Sequence, residues 1–262
     1  MRSNIKSAEK FYDDFAQNYH HMFQDWEATI ANQAILFNGI IERFWGKEKV
    51  DVLDCTCGIG TQSIGLAQMG HRVVGTDISK KAIERAKQET TKRGLVVDYR
   101  KMNLLFLGKL RHDFHAVMSI DNSLPNLIDD DDLLKALKEI KARLKLGGIF
   151  VATIRDYDEL IKTKPQMMPP MFHREPGKES ISFQVWNWIA DNLYELHQHT
   201  SLKKDDKWVS FHEVKPYRAL RRDELSASLE QAGFDHIEWQ MPKERGVFQP
   251  LVIASANAPS LG

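Results

Sequence analysis

Apolar residues recur at helical spacing through the first part of the chain: Phe11, Phe15, Tyr19 and Met22, then Ile30, Ala34, Phe37, Ile40, Ile41 and Phe44. The spacing predicts two or three helices over 7–45, closed near Gly46. The texture then changes. Residues 50–55 (VDVLDC) and 71–77 (HRVVGTD) are short β-branched runs, and TQSIGLAQMG between them reads as a helix ended by Gly70. A helix with Ser79 as its N-cap follows (SKKAIERAKQETTKRG), then strands VVDYRKM and FHAVMSI, a helix DDDLLKALKEIKARLKLGG and a strand IFVATIR. The acids at 129–132 suit the dipole of a helix N-terminus. Beyond Ser180 period two takes over: ISFQVWNWIA, NLYELHQHTSL and WVSFHEVKPYRAL predict a three-strand antiparallel meander. A last helix, RRDELSASLEQAG, precedes HIEWQM and FQPLVIASA, two antiparallel edge strands for the main sheet.

Strands alternating with helices of about ten or more residues argue for a parallel sheet covered on both faces. The expected fold is therefore α/β: a Rossmann-like, doubly wound, mostly parallel seven-stranded sheet with N-terminal helices and an inserted antiparallel three-strand meander. Residues 1–46 would form a helical cap, 47–158 with 221–262 the core, and 159–220 the meander insertion or lid.

Composition narrows the partners. A chain of 262 residues, 42% hydrophobic, fits one sizeable core with a lid. Thirty-six basic residues balance thirty-six acidic ones, so no overall field draws the protein to nucleic acid or to an anionic membrane, and a small neutral or zwitterionic acceptor fits better. The two cysteines, Cys55 and Cys57, stand too close in a strand and turn to bridge one another. With no apolar signal-like start and no membrane-length apolar run, the sequence reads as cytoplasmic. Oligomeric state is not legible.

The chemistry gathers at VLDCTCGIGTQS, 52–63. Ligands of an open parallel sheet sit beyond the carboxyl ends of the strands, and Gly58 and Gly60 would let backbone approach one closely. A dinucleotide loop would carry a third glycine where Ser63 stands, and Asp54 would repel a pyrophosphate by several kcal/mol, an order-of-magnitude Coulomb estimate. A cationic ligand without phosphate resolves the conflict, and Asp77 at the end of the second strand is placed to accept both ribose hydroxyls. The plainer alternative is that both aspartates only end strands.

With these residues the chain resembles the class I S-adenosylmethionine-dependent methyltransferases. VLDCTCGIG is similar to their first motif, with Thr56 in place of the usual first glycine, and VVGTDIS to their second. The resemblance implies S-adenosyl-L-methionine as cofactor and S-adenosyl-L-homocysteine as product. It implies Asp77 on ribose, Ile78 against adenine and Asn103 at the adenine edge, with Tyr19, Asp54, Cys55, Gly58, Gly60, Leu104, Asp121 and Ser123 completing the cofactor set.

Within that class the closer resemblance is to the glycine and glycine/sarcosine N-methyltransferases, through Asn122-Ser123-Leu124-Pro125-Asn126-Leu127 and Arg155-Asp156-Tyr157-Asp158. It implies that Asn122 and Arg155 hold the carboxylate of a small acceptor. Arg155 pairing with Asp156 or Asp158 is the alternative. An aromatic after Asn-Ser and a nearby histidine are missing, which leaves glycine itself in question. The stretch has neither the paired proline nor the aromatic of nucleic-acid amino-methyltransferases. His20, Tyr19, Tyr157 and Tyr217 are candidates to orient the acceptor or take up its proton. Trp186 and Trp188 share one face of the meander, either as a roof attractive to cations or as ordinary core. His197, His199 and His212 lack a carboxylate or cysteine at ligand spacing, so no metal is expected. The expected function is methyl transfer to a small molecule, most simply the amine of an amino acid. The alternatives are O- or C-methylation, a nicotinamide-dependent oxidoreductase, or a silent binding module.

Overall fold

The computed structural model describes residues 2–174, 179–242 and 247–255. Residues 1, 175–178, 243–246 and 256–262, which fall within the expected cap, insertion and core segments, lie outside the described residues. At the N-terminus, α1 (Arg2–Phe15), a 3-10 turn (Tyr19–Met22) and α2 (Trp26–Trp45) follow one another. Asp25 caps α2 by accepting from the Ala28 N–H, and Gly46 closes it at φ 58°. The alternating part runs β1 (Asp51–Asp54), α3 (Thr61–Gln68), β2 (Arg72–Asp77), α4 (Lys80–Lys92), β3 (Asp98–Lys101), β4 (Phe114–Ser119), α5 (Asp130–Lys141) and β5 (Leu144–Thr153). Ser79 caps α4 through the Ala82 N–H, as its sequence position predicts.

A short α6 (Tyr157–Thr163) leads into β6 (Met171–His173), β7 (Ser180–Ala190), β8 (Leu193–Lys204) and β9 (Lys207–Arg218). Then come α7 (Arg222–Ala232), β10 (His236–Gln240) and β11 (Leu251–Ser255). The main sheet has seven strands in the order β10-β11-β5-β4-β1-β2-β3. β1 to β5 are parallel, while β11 runs antiparallel to β5 and β10 antiparallel to β11. The order reverses between β1 and β4, which puts the ligand crevice of such sheets beside the ends of those two strands.

The meander is a four-stranded sheet, because the short β6 adds to the edge of β7. A second departure concerns α5. Its helical pattern extends to residue 148, yet the helix stops at Lys141 and β5 begins at Leu144. Leu144 pairs with Phe114 before a register shift, with Gly147 at φ 72°, so the strand claims residues that alternate Leu-Lys-Leu.

The sheet buries both faces, and period two divides them. Leu53, Val117, Phe150 and Val252 pack with residues of α5 and α7, while Val52, Met118, Val151 and Ile253 pack with Phe37, Ile40 and Ile41 of α2. Gly65 lets α2 cross α3 closely, since a Cβ there would lie 2.8 Å from Ala34 Cβ and 2.9 Å from the Ile30 carbonyl. A third core joins α1 (Phe11, Phe15), α6 (Tyr157) and the meander (Trp186, Tyr194, Tyr217). Trp186 and Trp188 thus pack toward the body as core, and the cation-attracting roof does not form from them.

Candidate active site

Two cavities flank the carboxyl ends of the parallel strands, and Tyr19 lines both. The smaller, of about 100 Å³, lies over the β1 and β2 loops and takes in Cys55, Gly58, Asp77, Ile78, Asn103, Leu104 and Ser123. Gly58, at φ 51°, donates its N–H to Asp77 Oδ2 at 2.9 Å, and the Ser79 N–H reaches Asp77 Oδ1 at 2.8 Å. Each oxygen of Asp77 keeps lone pairs for further donors such as ribose hydroxyls. Asn103 caps the following 3-10 turn by accepting from the Leu105 N–H at 2.8 Å, so its carbonyl oxygen is already engaged.

Two of the expected cofactor residues stand behind the cleft instead of in it. Gly60, at φ 95°, makes room for Tyr99: a Cβ there would fall 2.7 Å from the tyrosine hydroxyl. Asp54 is fully buried. Its Oδ2 accepts from Ser63 Oγ at 2.7 Å, and its Oδ1 has no partner. Ser63, which breaks the dinucleotide pattern, therefore serves the aspartate.

Burial pushes the Asp54 carboxyl up to about 7 against the Ser63 hydrogen bond, and Asp77 and Asp121 push the same way. Asp77 and Asp121 are also raised by burial, the latter against hydrogen bonds from Gln62 and Gln33. Among the described residues none of the three has a basic partner in an ion pair. One fully buried and two partly buried acids that lack a cation fit the sulfonium and ammonium of S-adenosylmethionine and oppose a pyrophosphate.

A pH dependence follows. With its folded pKa raised, Asp54 contributes stability to the ligand-free fold below the ordinary carboxylate range and loses it as pH rises through about 7. A bound cation favours the ionised form. S-adenosylmethionine affinity measured by calorimetry should rise about tenfold between roughly pH 5 and pH 7, and Asp54→Asn should flatten the profile. A flat profile for the unaltered protein would remove the electrostatic reading.

The larger cavity, about 790 Å³, is bounded by Tyr19, Gln33, Asp121, Asn122, Arg155 and Gln184 among others. Asp121 and Asn122, at the end of β4, both have left-handed backbone, φ 54° and 64°, a conformation that Asp and Asn tolerate better than most residues. Asp121 is held by Gln33 Nε2 at 3.0 Å and Gln62 Nε2 at 2.7 Å.

Arg155 is partly buried among polar partners: it donates to Gln184 Oε1 at 2.9 Å and to the Tyr194 hydroxyl at 3.3 Å, with its guanidinium 4.8 Å from the Trp186 ring centroid. Asp156 and Asp158 pair with Arg222, at 2.7 and 3.3 Å, which removes the alternative that they neutralise Arg155. Among the described residues no carboxylate pairs with it.

Asn122 differs from its expectation. Its amide donates to the hydroxyls of Tyr157 at 2.9 Å and Tyr217 at 3.0 Å, while its oxygen accepts from the Arg155 N–H at 2.9 Å. The side chain is spent on holding the site and has no group left for a carboxylate. Tyr157 and Tyr217 are buried behind it and line neither cavity. His20 lines neither cavity as well. It contacts an Arg85 guanidinium nitrogen at 3.0 Å through Nδ1, and burial, with Arg85, pushes its pKa down to about 3.

Several site residues escape sequence reasoning: Gln33 and Gln62 under Asp121, Gln184 beside Arg155, and Tyr12 and Asn126 at the smaller cleft, with Lys215 bonded to both. The Lys215 amine, pushed well down by burial and by Arg155, donates to the Tyr12 hydroxyl at 2.6 Å and to Asn126 Oδ1. A visible signal exists for Gln33 and Gln62, polar residues at buried helical positions. His197, His199 and His212 stack on the meander, and among the described residues no group of three or more potential ligands suits a metal ion. No described helix is long and apolar enough to cross a membrane.

Residues 52–148 match the model of a methyltransferase domain family. Over 163 residues the chain is 29% identical to the glycine/sarcosine N-methyltransferase of Parasynechococcus marenigrum, covering 62% of this chain and 56% of that protein. The glycine/sarcosine N-methyltransferase of Halorhodospira halochloris is 25% identical over 91% of this chain and 84% of its own. The tRNA 5-carboxymethoxyuridine methyltransferase of Escherichia coli is 24% identical over 85% and 87%. Among solved structures, the amino pentose methyltransferase CalS10 of Micromonospora echinaspora, with S-adenosylmethionine bound, superposes with a TM-score of 0.71 at 16% identity, covering 92% of this chain and 95% of that one.

Proposed function

We propose that this chain, whose residues 52–148 match a methyltransferase domain family, is a class I S-adenosylmethionine-dependent methyltransferase that methylates the amine of a small acceptor carrying a carboxylate. The observation that carries this reading is Arg155, a partly buried cation lining a cavity of about 790 Å³ with no acidic partner among the described residues. A carboxylate supplies the missing charge and can take paired N–H bonds from the guanidinium.

The cofactor supplies an activated methyl group on a sulfonium. Asp77 would receive the ribose hydroxyls, Ile78 and Leu104 would flank the adenine, and the negative charge of Asp121 and of the buried Asp54 behind the cleft would favour the cationic end. Tyr19, between the two cavities, borders the path from donor to acceptor. Displacement at a sulfonium disperses charge, so alignment and exclusion of water supply most of the acceleration, and a neutral amine needs no strong base. The role is thus positional: Asn122 and the tyrosines behind it fix Arg155, and Arg155 fixes the acceptor. Balanced net charge favours a small molecule over a nucleic acid. The buried free thiols of Cys55 and Cys57 suit the reducing cytoplasm.

The test is a screen for S-adenosylhomocysteine formation over amino acids, N-methylated amino acids, amines without carboxylates, carboxylates without amines, and tRNA. Turnover confined to acceptors that bear both groups is expected. Turnover of tRNA alone, or of simple amines as fast as amino acids, overturns the reading.

A further inference from the structure

The cavity that Arg155 faces is much larger than a glycine, and much of its lining is apolar. Ile35 and Leu36 of α2, Met168 and Met171 before and within β6, Phe183 of β7 and Phe248 ahead of β11 all line it. Ile35, Phe248 and Met171 remain 64%, 41% and 38% exposed, an unusual state for large apolar side chains. Exposed apolar groups gathered at one cavity mark a place where an apolar partner is buried. Arg155, Gln184 and Asn122, held in one hydrogen-bonded set, line the same cavity. The cavity therefore combines one cation with a set of exposed apolar side chains.

We propose that the acceptor is an α-amino acid, or an amine of similar layout, with a bulky apolar side chain: its carboxylate sits on Arg155 and its side chain lies against Ile35, Met171 and Phe248. This rests on the carboxylate–amine reading and adds to it a preference that glycine and sarcosine do not satisfy. A site of this volume, in which large apolar side chains share the lining with a cation and neutral polar groups, suits an amphiphilic molecule better than a two-carbon one. Glycine would leave the apolar wall in contact with water.

The experiment follows binding and turnover through a homologous series, glycine, alanine, norvaline, norleucine and α-aminooctanoate, with S-adenosylhomocysteine present for calorimetry and S-adenosylmethionine for rates. Affinity should rise about threefold to fourfold for each added methylene that enters the cavity, and kcat/KM should follow it. Phe248→Asp, at an exposed position, should weaken use of the longest member of the series, its KM rising about tenfold through the loss of roughly two methylenes of burial, with S-adenosylmethionine affinity unchanged. A flat series with Arg155-dependent turnover of glycine overturns the apolar preference and leaves the carboxylate reading standing. Failure of every member to bind, glycine included, overturns both.

Discussion

Replacing Arg155 by alanine is expected to lower kcat/KM for a carboxylate-bearing acceptor by about a hundredfold to a thousandfold, the range reached when one partner of a buried, hydrogen-bonded charge pair is truncated. S-adenosylmethionine affinity should stay within about twofold, because the guanidinium lines the larger cavity and is absent from the smaller one. Lysine should restore only part of the activity. An ammonium carries the charge but lacks the planar fork that spans Gln184, Tyr194 and a carboxylate together. Steady-state kinetics beside a thermal melt separate this from unfolding, which matters because Arg155 also stacks on Trp186. An alanine variant that keeps its kcat/KM within about threefold would end the role given to Arg155.

The second large effect belongs to Asn122. Alanine there removes the part-buried acceptor of the Arg155 N–H and the two buried donations to Tyr157 and Tyr217. Each buried polar group left unpaired costs about 1–3 kcal/mol, and a Cβ without a compensating polar tip at φ 64° adds about 1–2 kcal/mol. The variant should lose roughly 3–5 kcal/mol by denaturant unfolding, a size seen only for disrupted networks and similar defects. Asn122→Gly separates the two contributions, since glycine accepts the left-handed backbone without strain. Glycine should be no worse than alanine, the reverse of their order inside a helix. A loss below about 1 kcal/mol in the alanine variant would mean that the network holds nothing in place.

What is legible in the chain is what repeats locally. Period two against period 3.6 separates the strands from the helices, and Ser79, Gly46 and Gly58 announce turns and caps because their chemistry acts within a few residues. Asp77 is legible because it ends a strand in a sheet whose ligand edge is fixed by topology. Arg155 is legible by motif and by place, although its freedom from Asp156 and Asp158 depends on Arg222, which lies 66 residues beyond Asp156.

The polar network is not legible, because its partners meet only in the folded chain. Gln33 and Asp121 are 88 residues apart, and Tyr12 and Lys215 are 203 apart. The same distance explains the exchange of roles around Asn122. Nothing near it in the chain reveals that two tyrosines, one from α6 and one from β9, consume its amide. The boundary of α5 is ambiguous for a related reason: Leu144 and Leu146 fit either period, and pairing with β4 decides between them.

The acids beneath the cofactor cleft also bear on turnover. Asp54, Asp77 and Asp121 respond to charge, and the donor carries one positive charge more than the thioether left after transfer. In the proposed binding mode they would hold the fresh donor more firmly than the spent one. Product inhibition would then be weakened by the protein itself, and each exchange of cofactor biased toward the next catalytic cycle.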